Sequence, residues 1–193
     1  VGEVIREAAA VDLRVRAFRT PPPNGDRPAR YWNMLLDRAR GDYVTFLDDD
    51  NEKSPLFLEV MASYLDEHPD VDAVTCGFVA VEEGRPPEEN HLNLRTAELL
   101  DRHNTVDTGA FLIRRGAMER IGYFPLDIRT NEDWALVRRM HQCLRVVHLP
   151  DLLAVWRRHP EQRMHRAADL GNARDKERVR WAPHWYAGIG VQI

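Results

Sequence analysis

The sequence has few cysteines, no long apolar run and no excess of positive charge. Only two cysteines occur in 193 residues, Cys76 and Cys143. Neither has metal-ligand spacing, so we expect reduced thiols in a reducing compartment rather than a disulfide framework. No window approaches the roughly 20 apolar residues of a transmembrane helix, and the first residues lack the pattern of a secretory signal. We therefore expect a cytoplasmic protein without a transmembrane segment, and peripheral attachment to a membrane stays open.

The charge balance argues against binding to nucleic acid. The formal net charge is -4 at pH 7, whereas domains that bind nucleic acid carry a basic excess. Hydrophobic residues make up 44% of the chain and charged residues 30%, which is typical of a soluble globular protein. A chain of this length can form one domain with a sizeable core.

Strand and helix patterns alternate along the first half of the chain. Residues 43–47, YVTFL, and 72–81, DAVTCGFVAV, have the composition of buried strands. Between them, Ser54 and Pro55 open a segment with helical spacing of apolar residues. A strand, helix and strand in this order predict a right-handed crossover, so we expect an α/β fold with a mainly parallel, Rossmann-type sheet flanked by helices.

Further elements and the domain limits follow from the remaining patterns. We expect residues 82–104 to form a surface insertion and residues 166–193 to form a helical and aromatic tail after a catalytic domain at 1–165. The other predicted elements are helices at 3–10, 28–40 and 130–143, and strands at 13–18, 145–149 and 152–156. The segment 106–124, VDTGAFLIRRGAMERIGYF, predicts a strand followed by a short helix.

Three aspartates, Asp48, Asp49 and Asp50, directly follow the strand at 43–47. Adjacent like charges repel each other unless a cation or water offsets them. Carboxylate oxygens suit Mg²⁺ or Mn²⁺, and such a cation usually completes its shell with substrate phosphates. A solvated acidic turn is the alternative, but ligands of parallel sheets bind at the carboxyl ends of strands, where this triplet lies.

Two further polar groups are candidates for chemistry. Glu132 and Asp133 open a predicted helix, where the helix dipole favours acids even without a function. The segment 156–159, WRRH, follows a predicted strand, and its arginines and histidine could bind phosphate or a metal, or belong to a solvated loop.

The order of these motifs resembles the family 2 glycosyltransferases of the GT-A fold. The resemblance extends from about residue 3 to about residue 165, through PARYWNMLLDRARGDYVTFLDDDN, DTGAFLIRRGAMERIGYF, NEDWALVRRM and WRRH. The first and third segments are the most specific, and WRRH is weak. The resemblance implies an inverting, metal-dependent transfer of a sugar from a nucleotide-diphosphate donor to an acceptor hydroxyl.

The resemblance also implies roles for individual residues. Asp50 would bind Mn²⁺ or Mg²⁺, with Asp48 and His159 as further metal ligands, and Asp133 would be the general base. The remaining roles are contacts with the donor diphosphate for Asp48, Asp49, Arg157 and Arg158, and a place in the sugar and acceptor pocket for Gly109, Ala110, Glu132 and Trp134.

One departure from the family concerns the beginning of the chain. Family members begin with two strands whose tips hold the nucleotide base, whereas this sequence starts with VGEVIREAAA, which is similar to the helix after the second strand. We therefore expect the fold to be incomplete at the N-terminus. The uridine preference usual in the family implies a UDP-sugar donor, and the acceptor could be a saccharide, a lipid-linked molecule or a small molecule.

Two other classes fit parts of the sequence. A haloacid-dehalogenase-like phosphohydrolase also places DxD after a strand, with the first aspartate, here Asp48, as nucleophile. Its motif continues differently, since Asn51 and Glu52 follow Asp50. A non-catalytic sugar- or nucleotide-binding module of the same fold is the second alternative, and it would tolerate Asp133→Asn.

Overall fold

A computed structural model describes residues 2–18, 28–91, 106–128 and 130–162. Its helices confirm the predicted ones, with shifted ends. Helix α2 begins at Pro28, whose fixed φ and missing N–H suit a first helical turn. The helix bounds are α1 Gly2–Val11, α2 Pro28–Leu36, α3 Phe57–Glu67, α4 Arg115–Ile121 and α5 Glu132–Cys143. Gly122 follows α4 with a φ of 77°, a conformation that favours glycine.

Among the residues that the structure describes, six strands form one sheet. They are β1 Tyr43–Val44, β2 Glu52–Lys53, β3 Ala73–Glu82, β4 Glu88–Asn90, β5 Phe111–Arg114 and β6 Val146–Arg158. The order is β1-β5-β3-β6-β2, with β4 paired to β3. The prediction of a mainly parallel sheet is wrong for these strands, because β3 and β6 are parallel and the other pairings are antiparallel. The mixed α/β class is confirmed.

The physical reason for this difference is the position of β5. Strands β1 and β3 run in the same direction, as the crossover predicts, but β5 lies between them and is antiparallel to both. Strand β5 ends at Arg114, directly before α4. The periodicity of residues 43–81 does not include β5 and therefore could not show that β5 pairs between β1 and β3.

Strand β6 corrects a second prediction. The sequence predicts two short strands at 145–149 and 152–156 because Pro150 lies between them, but residues 146–158 form one strand, which pairs with β3 on both sides of an unpaired stretch at 149–151. The register with β3 shifts between Thr75 and Gly77 and again between Gly77 and Phe78. An irregular ladder of this kind accommodates a proline, which has no N–H to donate.

Both faces of the sheet are covered by apolar side chains. On β5, Phe111 and Ile113 belong to a cluster with residues of α2, α4 and α5, whereas Leu112 belongs to a cluster with residues of α3. Alternation along a strand places successive side chains on opposite faces. The helices therefore form layers on the two sides of the sheet, and the loops at its edges remain accessible.

Several predictions concern residues at the margins. Residues 13–18 are described, but they are assigned to no strand, so that prediction is wrong. Most of the predicted insertion at 82–104 and the tail at 166–193 lie outside the described residues, as does the domain limit near 165. In the part of the chain that the structure describes, no helix is long and apolar enough to cross a membrane.

Candidate active site

The aspartate triplet lies in a turn that continues β1. The N–H of Asn51 donates to the carbonyl O of Asp48 at 3.2 Å, which closes the turn. Burial raises the pKa of the Asp48 carboxyl to about 7 because a charge loses its hydration there. The same pKa is raised further by four other carboxylates, those of Asp107, Asp50, Asp133 and Asp49.

Asp107 enters this group from a different segment. It precedes a short 3-10 turn at Thr108–Ala110, and its Oδ1 accepts a hydrogen bond from the N–H of Gly109 at 2.7 Å. A Cβ on residue 109 would lie 3.0 Å from that oxygen, so glycine suits the close approach. Burial raises the pKa of Asp107, and Asp133 adds to the effect, while the Gly109 N–H opposes it.

Helix α5 contributes Asp133 from its first turn. The carboxylate Oδ1 of Asp133 accepts a hydrogen bond from the N–H of Trp134 at 2.7 Å. Asn131 precedes the helix with φ 61° and ψ 25°, and its side chain makes no capping bond. Asn131 is therefore the N-cap of α5 by its backbone position alone.

These three segments are far apart in sequence and meet at one edge of the sheet. Asp50 and Asp133 raise the pKa values of both Asp48 and Asp107, and Asp107 raises the pKa of Asp48, so these carboxylates lie close enough to interact. We call the five of them the acidic cluster: Asp48, Asp49, Asp50, Asp107 and Asp133. Crowded carboxylates in a partly buried place favour a cation or a proton as partner.

The predicted metal ligands Asp50 and His159 lie beside each other. His159 Nε2 is 3.1 Å from Asp50 Oδ2, and Gln162 Nε2 is 3.5 Å from the same oxygen. Neighbouring ligands of an octahedral Mg²⁺ shell, with bonds of about 2.0–2.1 Å, lie about 2.9 Å apart. The separation of the pair is compatible with two adjacent positions of such a shell, and the carboxylate oxygen of Asp50 suits Mn²⁺ or Mg²⁺.

The protein supplies only part of a metal shell here. Among the described residues, no three side chains of His, Cys, Asp or Glu converge so that they could hold a metal ion. A site made by one or two side chains is nevertheless usual where substrate phosphates complete the coordination.

The two predicted diphosphate ligands, Arg157 and Arg158, already have acidic partners. The guanidinium of Arg157 pairs with Glu52, and the N–H of Arg157 donates to Asn51 Oδ1 at 3.1 Å. Arg158 pairs with Glu88 at 2.9 Å and lies 4.7 Å from the ring centroid of Trp156. The backbone of Arg157 is thus joined to the residue that follows the triplet, and contact of either arginine with a diphosphate stays a prediction.

The side chains of the predicted pocket residues are almost completely buried, so they do not form an accessible pocket surface. Ala110 is 0% exposed, Trp134 1% and Glu132 2%. Gly109 is also buried, and its N–H and carbonyl O are bonded within the protein. In this arrangement these residues support the walls of the site, and direct contact of any of them with an acceptor stays a prediction.

Sequence reasoning missed two residues of this site, Asp107 and Lys53. Asp107 stands next to the segment 108–111, TGAF. The sequence did not reveal that β5, which follows this segment, begins beside the end of β1 and so brings Asp107 to the triplet. Lys53 follows the triplet by three positions. Its Nζ donates to Thr45 Oγ1 at 2.6 Å and to the Gly109 carbonyl O at 2.7 Å, directly behind the acidic cluster.

The chain is similar to known glycosyltransferases. The family model described as "Glycosyl transferase family 2" matches residues 2–124. A Haemophilus influenzae protein described as "Uncharacterized glycosyltransferase" is 45% identical over 49 residues, which are 25% of this chain and 19% of that protein.

Solved structures show the same fold. S. aureus TarS 1-349 in complex with UDP-GlcNAc has a TM-score of 0.67 and 18% identity, over 92% of this chain and 57% of that chain. The mannosyltransferase PcManGT from Pyrobaculum calidifontis, in complex with GDP-Man and Mn2+, has a TM-score of 0.54 and 20% identity, over 90% of this chain and 48% of that one. The sequence thus spans about a fifth of the curated relative and about half of each structure. Because the family model covers well over half of the sequence, this chain belongs to glycosyl transferase family 2.

Proposed function

We propose that the protein with this chain transfers a sugar from a nucleotide-diphosphate donor to an acceptor hydroxyl with inversion at the anomeric carbon. The observation that carries the proposal is the meeting of the three acidic segments, 48–50, 107 and 133, at one edge of the sheet. Family membership supports the reaction class. It leaves the phosphohydrolase alternative without support.

In this proposal the two ends of the site have different tasks. Asp133 takes the proton of the acceptor hydroxyl as general base, and Glu132 helps to position the acceptor. Attack comes from the face opposite the leaving diphosphate, so base and diphosphate lie on opposite sides of the sugar. Asp48 and Asp49 contact the donor, and Arg157 or Arg158 offsets charge on the diphosphate by exchanging an acidic partner for a phosphate.

A divalent cation, Mn²⁺ or Mg²⁺, belongs to the same proposal. Asp50 and His159 are the residues that would hold it, because their donor atoms are 3.1 Å apart and partly exposed. Asp48 is a further candidate ligand. When bound, such a cation acts as a Lewis acid that stabilises the negative charge of the departing diphosphate.

The donor is proposed to be a UDP-sugar. The structure of TarS contains UDP-GlcNAc and that of PcManGT contains GDP-Man and Mn2+, so GDP-sugars are the alternative to test alongside. The acceptor is open among saccharides, lipid-linked molecules and small molecules, because acceptor loops vary on a common scaffold.

The first experiment is a calorimetric titration of UDP, and separately of GDP, with and without Mn²⁺. We expect binding of UDP that depends on Mn²⁺ and is lost in Asp50→Ala. Asp72→Asn, on the opposite edge of the sheet, is the matched acid-to-neutral control and should bind UDP normally. Binding of UDP or GDP that is indifferent to Mn²⁺, or that is equally strong in Asp50→Ala, would contradict the proposal.

Turnover separates an enzyme from a binding module of the same fold. We expect Asp133→Asn to bind UDP and Mn²⁺ as the wild type does but to lose sugar transfer. A variant that keeps full transfer would overturn the assignment of Asp133 as base.

A further inference from the structure

Lys53 is the cation that the proposed reaction leaves without a task. It lies in β2, and its Nζ donates to Thr45 Oγ1 at 2.6 Å and to the Gly109 carbonyl O at 2.7 Å. The same Nζ is 3.6 Å from the ring centroid of Phe57, in the first turn of α3. One ammonium group therefore joins the segment before the triplet, the turn after Asp107 and helix α3.

The hydrogen bonds of Lys53 continue on both sides. Thr45 Oγ1 donates in turn to the carbonyl O of Phe111 at 2.7 Å, which fixes the end of β1 against the start of β5. On the other side, the N–H of Gly109 is held by Asp107, so one residue receives a bond from Lys53 and gives one to Asp107. Lys53 is thus bonded to Thr45, three residues before the triplet, and to Gly109, two residues after Asp107.

Lys53 is also coupled to the acidic cluster by charge. Burial lowers the pKa of Lys53 to about 8, whereas Asp107 and Asp48 act in the opposite direction. The coupling is reciprocal for Asp107, because Lys53 lowers the pKa of that carboxyl. A partly buried ammonium remains charged at neutral pH when carboxylates stand near it.

We propose that Lys53 is the internal counter-ion of the acidic cluster, and that its charge keeps the affinity for a free divalent cation low until a nucleotide diphosphate is present. The inference rests on the proposed function, since it concerns how the metal enters that site. Lys53 repels a second cation, and the negative diphosphate offsets this repulsion. The cation then binds mainly together with the nucleotide, and Lys53 acts as a positioning and specificity-determining residue.

The test uses two neutral variants of Lys53 that differ in hydrogen bonding. Lys53→Met removes the charge and the donors, whereas Lys53→Gln removes the charge and keeps an N–H donor. Binding of free Mn²⁺ without nucleotide is measured by electron paramagnetic resonance on folded protein. We expect both variants to bind free Mn²⁺ about 5–10-fold more tightly than the wild type, because a repelling charge has gone. Unchanged or weaker affinity in Lys53→Gln would overturn the proposal.

A second measurement needs no metal. Thermal unfolding in EDTA is compared for the wild type, Lys53→Gln, Asp107→Asn and the double variant. The amide oxygen introduced by Asp107→Asn can still accept the Gly109 hydrogen bond, so this substitution removes charge and keeps the turn. We expect the loss of Tm caused by Lys53→Gln to be reduced by about half or more in the Asp107→Asn background. Additive losses would mean that Lys53 acts through packing alone and would overturn the counter-ion role.

The two proposals fail in distinguishable ways. Binding of UDP that is indifferent to Mn²⁺ in the wild type and in Asp50→Ala contradicts the metal-dependent function. The double-mutant cycle of thermal unfolding in EDTA then decides by itself whether Lys53 is a counter-ion. Binding of UDP that needs Mn²⁺ and Asp50, together with an additive cycle, supports the function and overturns the role of Lys53.

Discussion

The two edges of the sheet both carry aspartates, but they balance the negative charge to different degrees. At the edge opposite the acidic cluster, Asp72 pairs with Arg120 at 2.6 Å and accepts the N–H of Arg145 at 3.0 Å. Asp66 there accepts the hydroxyl of Tyr43. At the site edge, by contrast, the pKa values of Asp48 and Asp107 are raised by burial and by further carboxylates.

The difference between the two edges shows that repulsion between carboxylates is retained at the acidic cluster. The opposite edge has an open cleft of about 520 Å³, lined among others by Asp72, Arg114 and Arg120. Its size alone would suggest a binding site, yet Asp72 and Arg120 in its lining pair with each other, and Asp66 is bonded to Tyr43. The acidic cluster is less balanced and therefore gains more from an added cation, which is the property expected of a functional place rather than a structural one.

The largest expected effect separates the two edges by activity. Asp133→Asn should lower kcat by about 10³-fold, since general base catalysis contributes about 10²–10⁴-fold, while binding of UDP and Mn²⁺ stays within about twofold. Asp72→Asn should leave kcat within about twofold because Asp72 neutralises an arginine at the other edge. Steady-state rates with UDP-sugars and GDP-sugars check both. Equal losses in the two variants would mean that the effect of Asp133→Asn comes from folding.

The next effect separates the edges by stability. Asp48→Asn should stabilise the metal-free chain by about 1–2 kcal/mol near pH 8, because the folded state there contains a partly buried carboxylate facing other carboxylates. Removing that charge removes a cost present in the folded state alone. Urea unfolding in EDTA measures the change. A loss of stability in Asp48→Asn would contradict the idea that the acidic cluster is under repulsion.

Asp72→Asn should have the opposite sign and a smaller size. The variant loses the ion pair with Arg120 but keeps an acceptor for the Arg145 N–H. Arg120 is about half exposed, so solvent screening holds the expected loss near 1 kcal/mol. The same urea experiment gives the value, and Arg120→Met provides the partner variant for a double-mutant cycle. A gain of stability would remove the contrast between the edges.

The sequence predicted the helices and the triplet at the end of β1 because these depend on local patterns. Pro28 begins α2, Pro55 lies two residues before the start of α3 at Phe57, and the apolar spacing in 57–65 fits the buried face of α3. The pairing of β5 between β1 and β3 depends on contacts between distant residues, which no local pattern contains. The same holds for β6, where pairing with β3 breaks off around Pro150 and resumes at Leu152, so that one strand continues through the proline.

A site residue could be predicted from the sequence only where it lies in a recognisable motif. Asp48, Asp50 and Asp133 stand in recognisable segments, and the structure places them in one environment. Asp107 and Lys53 lack such a signal, because a single aspartate before a strand and a single lysine after an acidic turn are common. Their importance arises only when the sheet brings the 107–110 turn against the end of β1.

The smallest expected effect is the response of the two edges to salt. Raising NaCl from about 0.05 M to about 0.5 M shortens the Debye length from roughly 14 Å to roughly 4 Å. Screening weakens the repulsion within the acidic cluster and also the attraction between Asp72 and Arg120, so the two effects nearly cancel in the metal-free wild type. Asp48→Asn keeps mainly the attraction and should lose a few tenths of a kcal/mol as salt rises, whereas Asp72→Asn should gain a similar amount. Tm measured in EDTA across the salt series checks the two signs, and equal slopes in both variants would mean that the edges do not differ in charge balance.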